Sequence, residues 1–287
     1  YSYVGYNFGQ TGKNEEGTSY IENYVGTGGL NELYGGLSIE VWKKRLSVGA
    51  NFGFIFGNIT HEQNLSFGST SSSYSVYQTK RLEVRDLKMD FGVQYVHPIS
   101  AKENITLGVV FSPANKLNTD SYESIVSTQE QKGDTVTGLR FDLPNSYGVG
   151  LSYTKENKLM VGADFSYETW KNADFFSKTD EFKNRMKVAV GAEFIPHYNN
   201  RLFLNRVQYR AGFHYSNSYL KVKGSSYDEY GASVGFGLPL IDGRSYINVG
   251  FEYNKVKPTS PGLIDEQYFR FTVNYTFNEF WFFKRKI

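Results

Sequence analysis

Apolar and polar residues alternate along this chain with a period of two, the signature of a strand that shows one face to an apolar phase and the other to a polar one. In 46–57, Leu46, Val48, Ala50, Phe52, Phe54 and Phe56 oppose Ser47, Gly49, Asn51, Gly53 and Gly57, with Ile55 as the exception. The preceding segment sets Leu37, Ile39 and Val41 against Ser38, Glu40 and Trp42, with only KKR between the two. The same design recurs in Leu87–Tyr95, Tyr147–Tyr153, Val161–Glu168, Met186–Phe194, Val207–Ser216, Ser233–Leu238, Ile247–Asn254 and Phe269–Asn278. This predicts roughly 12 to 14 strands.

The connections fall into two classes. KKR near 44, HPISAKEN near 99, LPNS near 144, KENK near 156, PHYNN near 198 and IDGRS near 243 read as short turns. HEQNLSFGSTSSSYS, KLNTDSYESIV, FFSKTDEFK, SYLKVKGSSYDE and NKVKPTSPGLIDEQ read as longer polar loops. Short turns at one end and long loops at the other are expected of a closed transmembrane antiparallel barrel in the outer membrane of a Gram-negative bacterium. A soluble β-sandwich shares the period, but so many consecutive strands are hard to place in two packed sheets. VGTGGLNELY reads as a brief turn or helix, because its glycines weaken a strand.

Composition fits the barrel expectation. The 23 Tyr and 23 Phe stand against 3 Met, and 29 Gly are spread without a collagen period. No run of 18 apolar residues exists, which excludes a transmembrane helix but not strands, whose hydropathy signal is weak. A mean hydropathy of -0.45 is compatible with such strands. A net charge of +2 offers no field to attract nucleic acid, and the absence of cysteine excludes disulfides and thiolate metal sites. The chain opens on Tyr1 without a signal-like segment, so it is expected to be processed or part of a longer one.

Chemical motifs are sparse. His61, His97, His197 and His214 are far apart, GTGGL lacks the lysine of a phosphate loop, and no nucleophile elbow accompanies the serines. The pairs Asp164/Glu168 and Asp180/Glu181 suit lumen and loop settings better than catalysis. Neither an enzyme, a cofactor nor a metal is expected. The charged side chains on the polar face are the candidate lumen-lining residues: Glu40, Lys88, Asp90, Asp164, Glu168, Lys187, Glu193, Arg210, His214, Glu252 and Arg270. Their balanced signs predict cross-lumen ion pairs, since a confined charge needs a partner.

YSYVGYNF at the start, GTGGLNELYGGLSIEVWKKRLSVGANFGFIFGNI at 26–59 and ITLGVVFSPANKL at 105–117 carry a resemblance. The chain resembles the FadL/TodX-like outer-membrane transport proteins, especially their divergent Bacteroidetes branch. That resemblance implies a barrel of about 14 strands with an N-terminal hatch. It also implies passive uptake of long-chain fatty acids or similar hydrophobic small molecules, with outer-membrane lipid around the wall. The hatch and first strands are expected to be missing from 1–287, a single barrel domain. Alternative expectations are a structural or interaction subunit of an outer-membrane secretion or surface assembly, with protein partners, and a general porin.

Overall fold

The alternating segments form one antiparallel sheet, in a computed structural model that describes all residues except 1–4, 16, 69–73, 128–130, 137, 177–181, 222–223, 241–244, 262 and 277–287. Its first strands are β1 (Tyr6–Lys13), β2 (Ser19–Trp42), β3 (Leu46–Phe67), β4 (Val76–Ser100) and β5 (Glu103–Ser112). An excursion follows, with β6 (Asn115–Lys116), β7 (Thr119–Ser127), β8 (Gln131–Val136) and β9 (Asp142–Leu143). The meander resumes through β10 (Ser146–Lys155), β11 (Leu159–Glu168), β12 (Arg185–Phe194), β13 (Gln208–Asn217), β14 (Tyr227–Pro239), β15 (Tyr246–Pro258) and β16 (Glu266–Thr276). One helical turn, α1 (Phe203–Arg206), and a 3-10 turn at Trp170–Asn172 interrupt it.

The sheet is open where a closed barrel was expected. Its path runs β1-β2-β3-β4-β5-β10-β11-β12-β13-β14-β15-β16, and β7 and β8 join through β4 to bring the total to 14 strands. Among the described residues no pairing joins the first strands to β16. The alternation specifies which face each residue takes; it does not specify what lies beside the first and last strands.

Three local expectations change as well. VGTGGLNELY is neither turn nor helix but the middle of β2, paired residue for residue with β3. Cross-strand hydrogen bonds at every step outweigh the propensity cost of its glycines. KLNTDSYESIV is mostly strand: β7 pairs with residues 76–84 of β4. LPNS lies at the rim opposite the short turns, because it precedes β10, whose other end is the KENK turn. Of the expected positions, IDGRS falls largely, and Asp180, Glu181, Phe277 and Asn278 fall wholly, outside the described residues.

β2, β3 and β4 outrun the other strands and carry the core at their long-loop end. Ile55, Leu82 and Val84 are 0% exposed, with Leu30, Ile59, Leu117 and Leu143 buried around them. Leu139, Phe141, Phe175 and Phe176 pack against this cluster, and His61 stacks on Phe176 with ring centroids 4.5 Å apart. The excursion between β5 and β10 therefore covers one end of the sheet. A second aromatic cluster at that rim stacks Trp170 on Tyr219 at 4.5 Å, and burial pushes the Tyr219 hydroxyl above its ordinary value.

At the first edge of the sheet, Glu22 ties β1 to β2 and β3. It accepts hydrogen bonds from Gln10 at 2.8 Å and Gln63 at 2.5 Å. A hydrogen bond from Tyr24, with those from Gln10 and Gln63, holds its carboxyl below the usual range, while Tyr24 is pushed up to about 12. A depressed carboxylate contributes stability above its unfolded pKa, lost as pH falls through the folded value. Carbon-13 NMR of a Glu22→Gln variant is expected to return Tyr24 towards 10 and to remove the part of acid loosening in β1 that Glu22 supplies.

Candidate functional site

The sheet has two chemically distinct faces, and register makes each continuous. On the outer face Val93 pairs with Val109, Val109 with Val149, Val149 with Phe165, and Phe165 with Val188. The band continues from Val190 to Phe213 and from Val234 through Phe251 to Phe271. Apolar cross-strand pairs of this kind each add roughly 0.2–1 kcal/mol. These side chains nevertheless stay exposed, about half for Phe213 (50%) and more at the margins, with Leu37 at 80% and Phe269 at 82%. The margins are the free edges. Residues 27–42 of β2 have β3 on one side only, and β16 has β15 on one side only, among the described residues.

The inner face is polar and glycine-rich. Gly162, Gly191 and Gly212 sit side by side on adjacent strands, as do Gly49 with Gly92 and Gly235 with Gly250. A recess of about 550 Å³ draws residues from β11 through β16, so the sheet curves about this face. A second of about 620 Å³ spans β2 to β11, and Asp164 lines both. At Gly148 a Cβ would stand 2.5 Å from a Val110 methyl, so a larger residue there would have to displace that side chain.

All eleven sequence-derived candidates fall on this inner face; seven of them enter ion pairs and an eighth, His214, lies beside a carboxylate. Lys88 Nζ lies 2.8 Å from Asp90 and 3.6 Å from Glu32, and Ser112 donates to Asp90 at 2.5 Å. Arg210 is the most connected: its Nε donates to Glu193 at 2.6 Å, Nη1 to Asn248 at 2.8 Å and Nη2 to Gln208. Arg270 pairs with Glu252 at 3.2 Å and Asn254 donates to the same carboxylate at 2.8 Å. Glu168 faces Arg185 at 3.8 Å and accepts from the Trp170 indole at 2.5 Å. His214 stands 3.5 Å from Glu229.

The remaining three differ. Glu40 accepts from the Lys44 backbone N–H at 2.6 Å and so closes the KKR turn. Asp164 and Lys187 form no ion pair among the described residues and line one recess of about 440 Å³. The partners Glu32, Arg185 and Glu229 were missed from sequence, and Asn248 was read on the polar face but not as a candidate, although each has the parity of the inner face; register decides which side chains meet. The candidates are spread over the sheet rather than gathered into one centre. The four histidines also lie apart, on β3, β4, the β12–β13 connection and β13.

A family model described as BamG matches residues 1–287. The chain belongs to the BamG family. This corrects the FadL/TodX assignment: the quoted motifs mark strands and turns, and features that many β-sheet proteins share cannot tell one such family from another. No curated protein matches a BamG-family chain of this sequence. Among solved structures it is loosely similar to a Pseudomonas aeruginosa FadL homologue, at 15% identity and a TM-score of 0.49, over 88% of this chain and 65% of that one. It is also similar to the RagAB peptide importer in its closed-closed state, at 11% identity and a TM-score of 0.47, over 83% of this chain and 30% of that one. Pseudomonas aeruginosa OccK10 (OpdN) follows at 8% identity and a TM-score of 0.33, over 96% and 100%. The BamG-family chain thus spans less than two thirds of the FadL homologue.

Proposed function

We propose that this chain is a structural or interaction subunit of an outer-membrane assembly, with its outer face against membrane lipid and its rims and edges against protein partners. The observation that carries this reading is the outer face itself, apolar in register from β2 to β16 yet exposed. Soluble monomers rarely leave an apolar patch larger than a few hundred Å² uncovered. Glycine permits close strand approach and curvature on the inner face, and the ion pairs there hold neighbouring strands in register.

Uptake of hydrophobic small molecules, the principal sequence expectation, does not stand. It required a closed, plugged lumen, and the described strands form an open path. The expectation of a FadL-like lipid transporter with a transmembrane barrel wall falls with it. The experiment is purification from native membranes. The protein is expected in the outer-membrane fraction within a stable multiprotein assembly, and Val190→Lys, in mid-face, is expected to reduce its recovery there by at least tenfold, since a lysine in apolar surroundings costs about 2–4 kcal/mol. Recovery as a lone soluble chain with the assembly intact in a deletion strain would sink the reading.

A further inference from the structure

The connection between β12 and β13 is unlike the described turns beside it. Rim turns at 43–45, 101–102 and 156–158 are built from Lys, Arg, Glu, Asn and Ala, and they run side by side through backbone hydrogen bonds such as Glu156 N–H to Lys102 at 2.8 Å and Ile195 N–H to Lys158 at 2.8 Å. The 195–207 connection instead exposes Leu202 and Leu204, each at 67%, with Tyr198 at 44% and Phe203 at 45%.

This exposure is held by structure. Ile195 and Val207 are buried at the two ends, the His197 N–H donates to Asn205 at 2.8 Å, and the Leu202 N–H donates to the Asn200 side chain at 2.9 Å. The Tyr209 hydroxyl donates to the Leu204 carbonyl at 3.1 Å, and its ring meets Phe236 at 6.0 Å. Tyr209 and Phe236 belong to the outer face, so the exposed leucines prolong that face past the rim. Between 195 and 207 there is no acidic residue, while His197, Arg201 and Arg206 are present. The Arg206 Nε is buried without a hydrogen-bond partner.

We propose that this connection is a lipid-interface anchor. Leu202, Phe203 and Leu204 enter the boundary between headgroups and acyl chains of an anionic leaflet, and Arg201 and Arg206 meet the lipid phosphates. Apolar and aromatic residues beside purely basic ones are what such a surface recognises, because burial of apolar area and attraction to anionic headgroups add. The proposal rests on the membrane reading above and commits to lipid rather than to a protein partner.

The chain has no cysteine, so single Leu202→Cys and Leu204→Cys variants of the full chain take one nitroxide each. Reference labels go at Asn157, in a polar turn of the same rim, and at Val190. In vesicles of phosphatidylethanolamine and phosphatidylglycerol, labels at 202 and 204 are expected to collide with oxygen several-fold more than with a nickel chelate, as at 190 and unlike 157. Joint replacement of Arg201 and Arg206 by Glu is expected to reduce that ratio in phosphatidylglycerol vesicles and to leave it unchanged in zwitterionic ones. Labels at 202 and 204 as water-accessible as 157, with 190 still in lipid, would overturn the anchor alone. A label at 190 in water would overturn the membrane reading, and shielding from both reagents only within the purified assembly would replace lipid by a protein partner.

Discussion

Replacing Gly57 by valine is expected to destabilise the protein by more than about 3 kcal/mol, among the larger single-site effects available to a chain of this kind. Gly57 adopts φ +151, and a Cβ there would stand 2.2 Å from the backbone oxygen of Gly29 and 3.1 Å from the Leu30 Cα. Gly28, two residues along β2 from Leu30, the register partner of Gly57, repeats the geometry, with φ +121 and a Cβ position 2.1 Å from the Asn58 carbonyl oxygen. At Gly57 and Gly28 the backbone of the neighbouring strand leaves no room for a side chain. A β-branched residue adds strain of about 1–3 kcal/mol from its backbone conformation alone, and the carbonyl it strikes cannot rotate away. Gly53→Ala is the control, because its Cβ would meet only side-chain atoms of Glu32, which can move, and no backbone. Denaturant unfolding in detergent should show Gly57→Val shifted far below Gly53→Ala; equal midpoints would refute the close approach.

Those same glycines show where sequence reasoning stopped. GTGGL reads as a break in local propensity, yet β2 runs through it because β3 supplies a partner at each position. Propensity is local and the ladder is not. Face assignment was legible because it needs only the parity of a residue within its strand, and parity places Val149, Phe165 and Val188 together without knowledge of the fold. Closure was not legible. Nothing in the alternation of Phe269, Phe271 and Val273 says what occupies the far side of β16, and a barrel was inferred from turn lengths that an open sheet shares. The family was obscured for a related reason, since alternating strands and polar turns are dictated by the environment more than by ancestry.

The inner-face residues were legible singly and not in pairs. Arg210 and Glu193 lie 17 residues apart but meet because β12 and β13 pair Glu193 directly opposite Arg210. Lys88 reaches Glu32 across β3, a contact that requires the register of two hairpins at once. These pairs are partly exposed, so each contributes about 0–1 kcal/mol to stability. Their larger effect is on register, since a one-residue slip would carry the charges to the apolar face.

Ile55 was the one residue in 46–57 that broke the alternation, and it carries the second large expectation. Parity puts it on the polar face, so Ile55→Asp looks from sequence like a repair. It is expected to cost about 3–5 kcal/mol instead, the range for an uncompensated buried charge. Ile55 is 0% exposed, packed in the cluster with Leu30, Leu82 and Leu143 beneath the cover formed between β5 and β10. Its cross-strand neighbours are Glu32 and Asp86, so a new carboxylate meets like charge as well as desolvation. Both raise its folded pKa above the unfolded value. The folded state then binds the extra proton, and stability falls as pH rises between the two values. The variant should therefore unfold more easily at pH 7 than at pH 4 relative to the parent, and protease should reach residues 139–143 first as the cover lifts. Ile55→Asn lacks the charge and should show the loss without its pH dependence. An Ile55→Asp protein as stable as the parent at pH 7 would mean that the polar face continues to the long-loop rim and that no covered core ends it.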